Sequence, residues 1–205
     1  MPGRTTLLAM LTAQALFFAF LGLVLWVFSG RPAESFVTFG PDEFLDGAVL
    51  AAALILLAAI TFYGLPRLSE YLVRAQVENF AFLVEKPLPL WAIVIVSLGA
   101  GIGEEALFRG GVQTLAGDYV GAPLAILFAS ALFAVVHFAK PLVAAIIFVI
   151  GALFGVTYWQ TGSLLAVMIG HALYDVFALW YVQKEMHRLG VFAQPEADEE
   201  EPITE

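Results

Sequence analysis

Residues Leu7–Phe28 form 22 consecutive positions without a charge, and nearly all are apolar. A stretch of about 20 apolar residues is the length that crosses the hydrocarbon core of a bilayer as a helix. This run is too long for the core of a secretory leader, and no small-residue cleavage site follows it, so it reads as a span. Five more runs qualify: Gly47–Leu65, a stretch from Leu88 that turns polar at Glu104, Pro123–Phe138, Pro141–Trp159 and Leu164–Val182. Composition agrees, with 61% hydrophobic and 13% charged residues against about 45–50% and about 25% in soluble domains. The expected fold class is therefore all-α, a polytopic membrane bundle of about six transmembrane helices. A coiled coil, a disordered chain and a nucleic-acid binder are excluded. The chain has no cysteine, which removes disulfides, thiolate zinc sites and cysteine nucleophiles.

Charge placement predicts topology. With six spans, one side holds Arg4, Arg67, Arg74, Lys86, Lys140, Lys184 and Arg188, and the other only Arg31. An excess of Lys and Arg marks the cytoplasmic side, so both termini are expected there, in a cytoplasmic (inner) membrane. The loop Gly30–Asp46 is then outside and acidic. Residues Arg67–Lys86 read either as an amphipathic helix on the cytoplasmic interface or as a simple loop. Six of the eighteen acids fall in the last ten residues, so the net charge of −9 is mostly that of a solvated, disordered tail, Pro195–Glu205. The organisation expected is an N-terminal transmembrane pair with its interfacial segment (1–87), a helical core (88–185) and the tail (186–205).

Ionisable groups inside spans are costly and mark function. Six lie in or near these spans: Glu104, Glu105, Arg109, His137, His171 and Asp175. Glu105 and Arg109 are spaced i, i+4 with the acid first, the favourable order for a helical ion pair. His171 and Asp175 share that spacing, as do Phe133 and His137. Glu104 lies about 100° around the helix from Glu105, so the two carboxylates need not face one partner. Taking Gly117–Ala122 as a turn, with Gly-Asp as its break signal, Glu104 lies 13 residues before it and His137 14 residues after Pro123. At 1.5 Å per residue both are roughly 20 Å from the turn, so an antiparallel pair brings them level. His171 and Asp175 reach a similar depth, and one cluster toward the cytoplasmic half is expected.

A Glu beside a His can hold and deprotonate water, and a His oriented by an Asp can donate to an oxyanion. Glu104, His137 and His171 could alternatively bind zinc with water in the open position; no H-E-x-x-H motif is present. No other cofactor is implied. Gly151 and Gly155 make a G-x-x-x-G spacing for close helix packing, and Gly99, Gly101 and Gly103 read either as a close-packing face or as a local helix weakness near the site.

These residues resemble a known family. Gly103-Glu104-Glu105-Ala106-Leu107-Phe108-Arg109-Gly110 is similar to the E-E-x-x-x-R motif of the CPBP intramembrane proteases, the CAAX- and bacteriocin-processing enzymes also called the Abi family. Phe133–His137 resembles their F-x-x-x-H, and His171–Asp175 their H-x-x-x-N/D. The resemblance covers about Leu88–Val182. It implies an intramembrane endopeptidase acting on a membrane-associated peptide or protein; of the two readings of the site, the one without metal is favoured and zinc stays the alternative. It implies that Glu104 and His137 activate water, that His171 and Asp175 stabilise the oxyanion, and that Glu105, Arg109 and Phe133 support the site. Where the family often has Asn, this chain has Asp175. An ionised Asp cannot donate a hydrogen bond, which favours a role in orienting His171. Two other functions fit intramembrane Glu, Asp and His: a proton-coupled transporter component, and a non-catalytic scaffold or immunity protein.

Overall fold

The computed structural model describes residues 4–77 and 87–191. The tail from Pro195, and the part of the expected interfacial segment that carries Phe80, Phe82 and Lys86, lie outside the described residues. Among the described residues there is no strand. The chain forms α1 (Arg4–Phe28), α2 (Pro41–Gly64), α3 (Pro66–Ala75), α4 (Leu90–Glu105), a π-helical segment (Ala106–Gln113), α5 (Thr114–Val120), α6 (Ala122–Val135), α7 (Pro141–Thr161) and α8 (Leu164–Arg188). Proline opens α2, α3, α6 and α7 in the first turn, where its missing N–H leaves nothing unpaired. Ser163 caps α8, its Oγ accepting from the Ala166 amide at 3.1 Å.

Four boundaries differ from the sequence reading. α2 begins at Pro41, six residues before the expected Gly47, so Asp42, Glu43 and Asp46 lie in its first turns and not in a loop. Acids there are favoured by the helix dipole. The Gly117-Asp118 pair does not break the chain: helix continues to Val120 and stops at Gly121, with φ +77°, a backbone region open mainly to glycine. Asp118 is instead held in a two-pronged pair with Arg31, at 2.7 and 2.8 Å. The fourth expected span, Pro123–Phe138, is the 14-residue α6 followed by a turn through Phe138. At about 21 Å it falls short of the ~30 Å hydrocarbon core. Among the described residues five helices are long and apolar enough to cross a membrane, with Leu90–Val120 counted as one rod, and α6 is the shorter sixth. Finally, α8 runs past the expected Val182 to Arg188.

Packing centres on α8 and on the α4–π–α5 rod. α1 lies along α4 and the π segment at backbone contact. A Cβ at Gly22 would meet the Ala106 carbonyl, and one at Gly103 would sit 2.7 Å from the Ala15 carbonyl oxygen. A Cβ at Gly101 would come within 2.8 Å of backbone atoms of Met168 and Ala172 on the opposite side. The glycines of α4 thus serve two neighbours, α1 and α8, which is the close approach membrane helices need in place of a hydrophobic drive. α3 is helical, as one reading of the sequence allowed. Its Val73 is fully buried against Tyr181, Val182 and Met186 of α8, and Leu72 and Ala75 pack on Val143 of α7. Tyr181 fixes it further, with its hydroxyl 3.0 Å from Ser69 Oγ and donating to the Phe62 carbonyl.

The ends of the bundle differ in charge. α3 with Arg67 and Arg74, the α6–α7 turn with Lys140, and the end of α8 with Lys184 and Arg188 meet at one end. Arg31 pairs with Asp118 at the other.

Candidate active site

The six ionisable residues come from four places in the chain. Glu104 and Glu105 end α4, Arg109 lies in the π segment, His137 follows α6, and His171 and Asp175 lie on α8. All six meet in one cluster. Glu105 and Arg109 are fully buried. Arg109 donates to Glu105 Oε1 at 3.1 Å and to the Gly151 carbonyl at 2.7 Å. Its guanidinium lies between the rings of Phe133 and Phe154, 4.7 and 5.4 Å from their centres. A buried charge survives only when paired and hydrogen-bonded, and the two rings add cation–π attraction.

The π-helical winding was not legible in the sequence. It carries Arg109 and Gln113 toward α7, where Gln113 donates to the Gly155 carbonyl at 2.9 Å. Gly151 and Gly155 thus present bare backbone to this segment; a Cβ at Gly151 would sit 3.2 Å from an Arg109 nitrogen and 3.1 Å from the Phe133 ring. Single π turns inside α-helices often mark functional sites. Thr114 Oγ accompanies the altered winding by donating to the Arg109 carbonyl at 2.8 Å.

His171 is buried, and its two ring nitrogens have different neighbours. Nδ1 lies 2.7 Å from Glu105 Oε1, the oxygen Arg109 also holds. Nε2 lies 3.4 Å from Asp175 Oδ2 and 4.0 Å from Glu104 Oε2. Glu104 and Glu105, although a residue apart on the helix, therefore converge on the same imidazole from opposite sides. Glu105 thus holds His171 Nδ1 while Asp175 faces Nε2. The Phe154 ring stacks on His171 with centres 4.8 Å apart.

His137 is positioned by a helix end. α6 stops at Val135, so its last carbonyls lack amide partners. His137 Nδ1 sits 2.6 Å from the Phe133 carbonyl. A carbonyl only accepts, so Nδ1 carries the proton and Nε2 presents its lone pair in the neutral ring. That Nε2 faces Glu104 Oε2 at 3.9 Å. Both gaps from Glu104 to imidazole are too long for a direct hydrogen bond and suit a bridging water.

Glu104, Phe133, His137, His171 and Asp175 open on a cavity of about 730 Å³, otherwise walled mainly by aliphatic and aromatic side chains of α1, α2, α3, α7 and α8. Among the described residues no group of three or more His, Asp or Glu is arranged to hold a metal ion. Of the alternative zinc set Glu104, His137 and His171, His171 has Nδ1 bound to Glu105 and Nε2 3.4 Å from Asp175. Residues the sequence reading missed are Phe154, Gln113, Gln183 and Gln14. Gln183 holds the start of α4 by bonding both the amide and the carbonyl of Leu88. Phe154 and Gln113 had no signal beyond an apolar helix and a polar residue one turn past Arg109. Gln14 had one: it is the sole amide side chain in the 22-residue run of α1.

Residues 86–177 match the model of the family described as type II CAAX prenyl endopeptidase Rce1-like. All three motifs lie within that stretch, and the similarity points to an enzyme of the CAAX-protease type with a peptide or protein substrate at a membrane. No curated protein and no solved structure matches the chain.

Proposed function

We propose that this chain, with its match to the type II CAAX prenyl endopeptidases, is an intramembrane endopeptidase that hydrolyses a peptide bond by activated water. The observation that carries this reading is the single carboxylate of Glu104 facing two imidazole nitrogens across 3.9 and 4.0 Å at the wall of an apolar cavity. Water held between Glu104 and His137 attacks the scissile carbonyl carbon while Glu104 takes its proton. The carbonyl oxygen gains the negative charge and is stabilised by a proton on His171 Nε2. Glu104 then returns its proton to the departing amine as the C–N bond breaks. Glu105 positions His171 through Nδ1, Arg109 holds Glu105, and Asp175 orients Nε2. Phe133 supports both histidines, through its carbonyl on His137 and its ring 6.0 Å from His171.

The protein is a multi-pass membrane protein by its helices. We further propose that its basic end, close to His137 and Lys140, is cytoplasmic, with both termini on that side of an inner membrane. The site then lies toward the cytoplasmic half.

Glu104→Gln tests the hydrolase reading. Loss of a general base slows proton transfer by about 10²–10⁴-fold. Peptide termini in membranes of cells expressing wild type are expected to include cleavage products that vanish with Glu104→Gln at equal expression. Identical termini in both, with both proteins folded, overturn the reading. Flux of protons into liposomes without any product would instead favour a transporter component.

A further inference from the structure

We propose that Gln14 of α1 binds the main chain of the substrate beside Glu104; this rests on the endopeptidase reading above. The helix α1 presents one stripe, Leu11, Gln14, Ala15 and Phe18, to the cavity that Glu104 and His137 line. These positions follow the i, i+3, i+4 spacing of a single helix face. Depth is set by the glycine seam: Ala15 touches Gly99 and Gly103, so close that a Cβ at Gly103 would sit 2.7 Å from the Ala15 carbonyl oxygen. Gln14 therefore stands level with the residues that immediately precede Glu104.

An amide side chain in an apolar span is costly without a partner. Gln14 is exposed to the cavity side and makes no hydrogen bond among the described residues. Two other uncharged polar side chains that line the cavity, Thr61 on α2 and Gln76 just after α3, are already engaged. Thr61 bonds the Leu57 carbonyl and Gln76 the Leu72 carbonyl, each one turn back on its own helix. A scissile segment is extended, so its peptide N–H and C=O groups point sideways and lose water on entering an apolar cavity. Each then needs a partner. A primary amide has both a donor and an acceptor, the pair that one peptide unit requires. Gln14 offers both on one planar group, and it lies outside the residues that carry the three motifs.

The test measures binding, not turnover. A fluorescent farnesylated CAAX peptide is titrated into nanodiscs holding Glu104→Gln or the double variant Gln14→Met/Glu104→Gln. Met keeps the length of Gln and removes its hydrogen bonds. The double variant is expected to bind about tenfold more weakly, the loss of roughly one buried hydrogen bond. The same peptide is then made with each backbone amide in turn replaced by an ester. One ester is expected to bind both proteins alike, because its missing N–H is the group Gln14 accepts. A role confined to helix packing would weaken all esters equally. Equal affinity of both proteins for the peptide, including no measurable binding by either, overturns the proposal, as does an undiminished difference for every ester. A peptide that binds wild type but is never cut overturns the endopeptidase reading and leaves the role of Gln14 in binding intact.

Discussion

At Arg109 a full positive charge is buried among two aromatic rings, one carboxylate and one backbone carbonyl. Removing one member of such a pair leaves the other charge buried and alone, at a cost of about 3–5 kcal/mol. Arg109→Met is therefore expected to lower stability by that order in detergent unfolding. Arg109→Met combined with Glu105→Gln is expected to recover part of it, since no lone charge then remains; strict additivity would show that the two residues do not act as a pair. Arg109→Lys is expected to resemble Arg109→Met more than wild type, because a lysine cannot reach Glu105 and Gly151 together with the planar fork of arginine. The i, i+4 spacing of Glu105 and Arg109 was plain in the sequence. That Glu105 also holds His171 Nδ1 was not, because 66 positions separate them. The role of the Phe133 carbonyl on His137 was likewise hidden. The F-x-x-x-H motif names the ring, whereas the hydrogen bond uses the backbone.

Among the elements, α1 depends on the absence of a side chain at two places. A Cβ at Gly22 would overlap the Ala106 carbonyl, backbone against backbone, which neither helix can relieve by a rotamer change. Gly22→Ala is expected to push α1 away from the π segment and to lower stability by about 1–3 kcal/mol, seen as a lower melting temperature. Gly64→Ala, where the nearest atom is an Ile60 side-chain carbon at 4.0 Å, is expected to change it by well under that amount. Equal losses in the two variants would show that the α1 seam is not close-packed. Helix identity was legible from apolar runs and from prolines at their starts. The short α6 was not, because apolar residues continue through Val136 and Phe138 after the helix has ended. Phe138 takes φ +47° there, a conformation set by the turn into α7. The π winding was invisible for a related reason: it follows from what Arg109 and Gln113 reach on α7, and α7 lies some 40 residues away.

The whole molecule separates its charges, with Arg67, Arg74, Lys140, Lys184 and Arg188 at one end and the Arg31–Asp118 pair at the other. Because the chain has no cysteine, single cysteines report topology directly. Cysteine at Phe39, which is exposed, is expected to react with a membrane-impermeant maleimide on intact cells. Cysteine at Arg188 is expected to react only after the membrane is opened; the reverse pattern would overturn the orientation proposed. Sequence alone determined that the chain is helical, that it spans a membrane, and which six ionisable residues lie where a charge is expensive. Those conclusions follow from local quantities, namely run length, charge density and spacing along one helix. Tertiary structure alone decided that Glu104 and Glu105 meet on opposite sides of one imidazole, that His137 is aimed by the end of α6, and that α1 brings Gln14 to the same cavity. Each of these depends on which helices touch and at what depth, and that is fixed by backbone contact at glycines and by buried polar pairs between residues far apart in the chain.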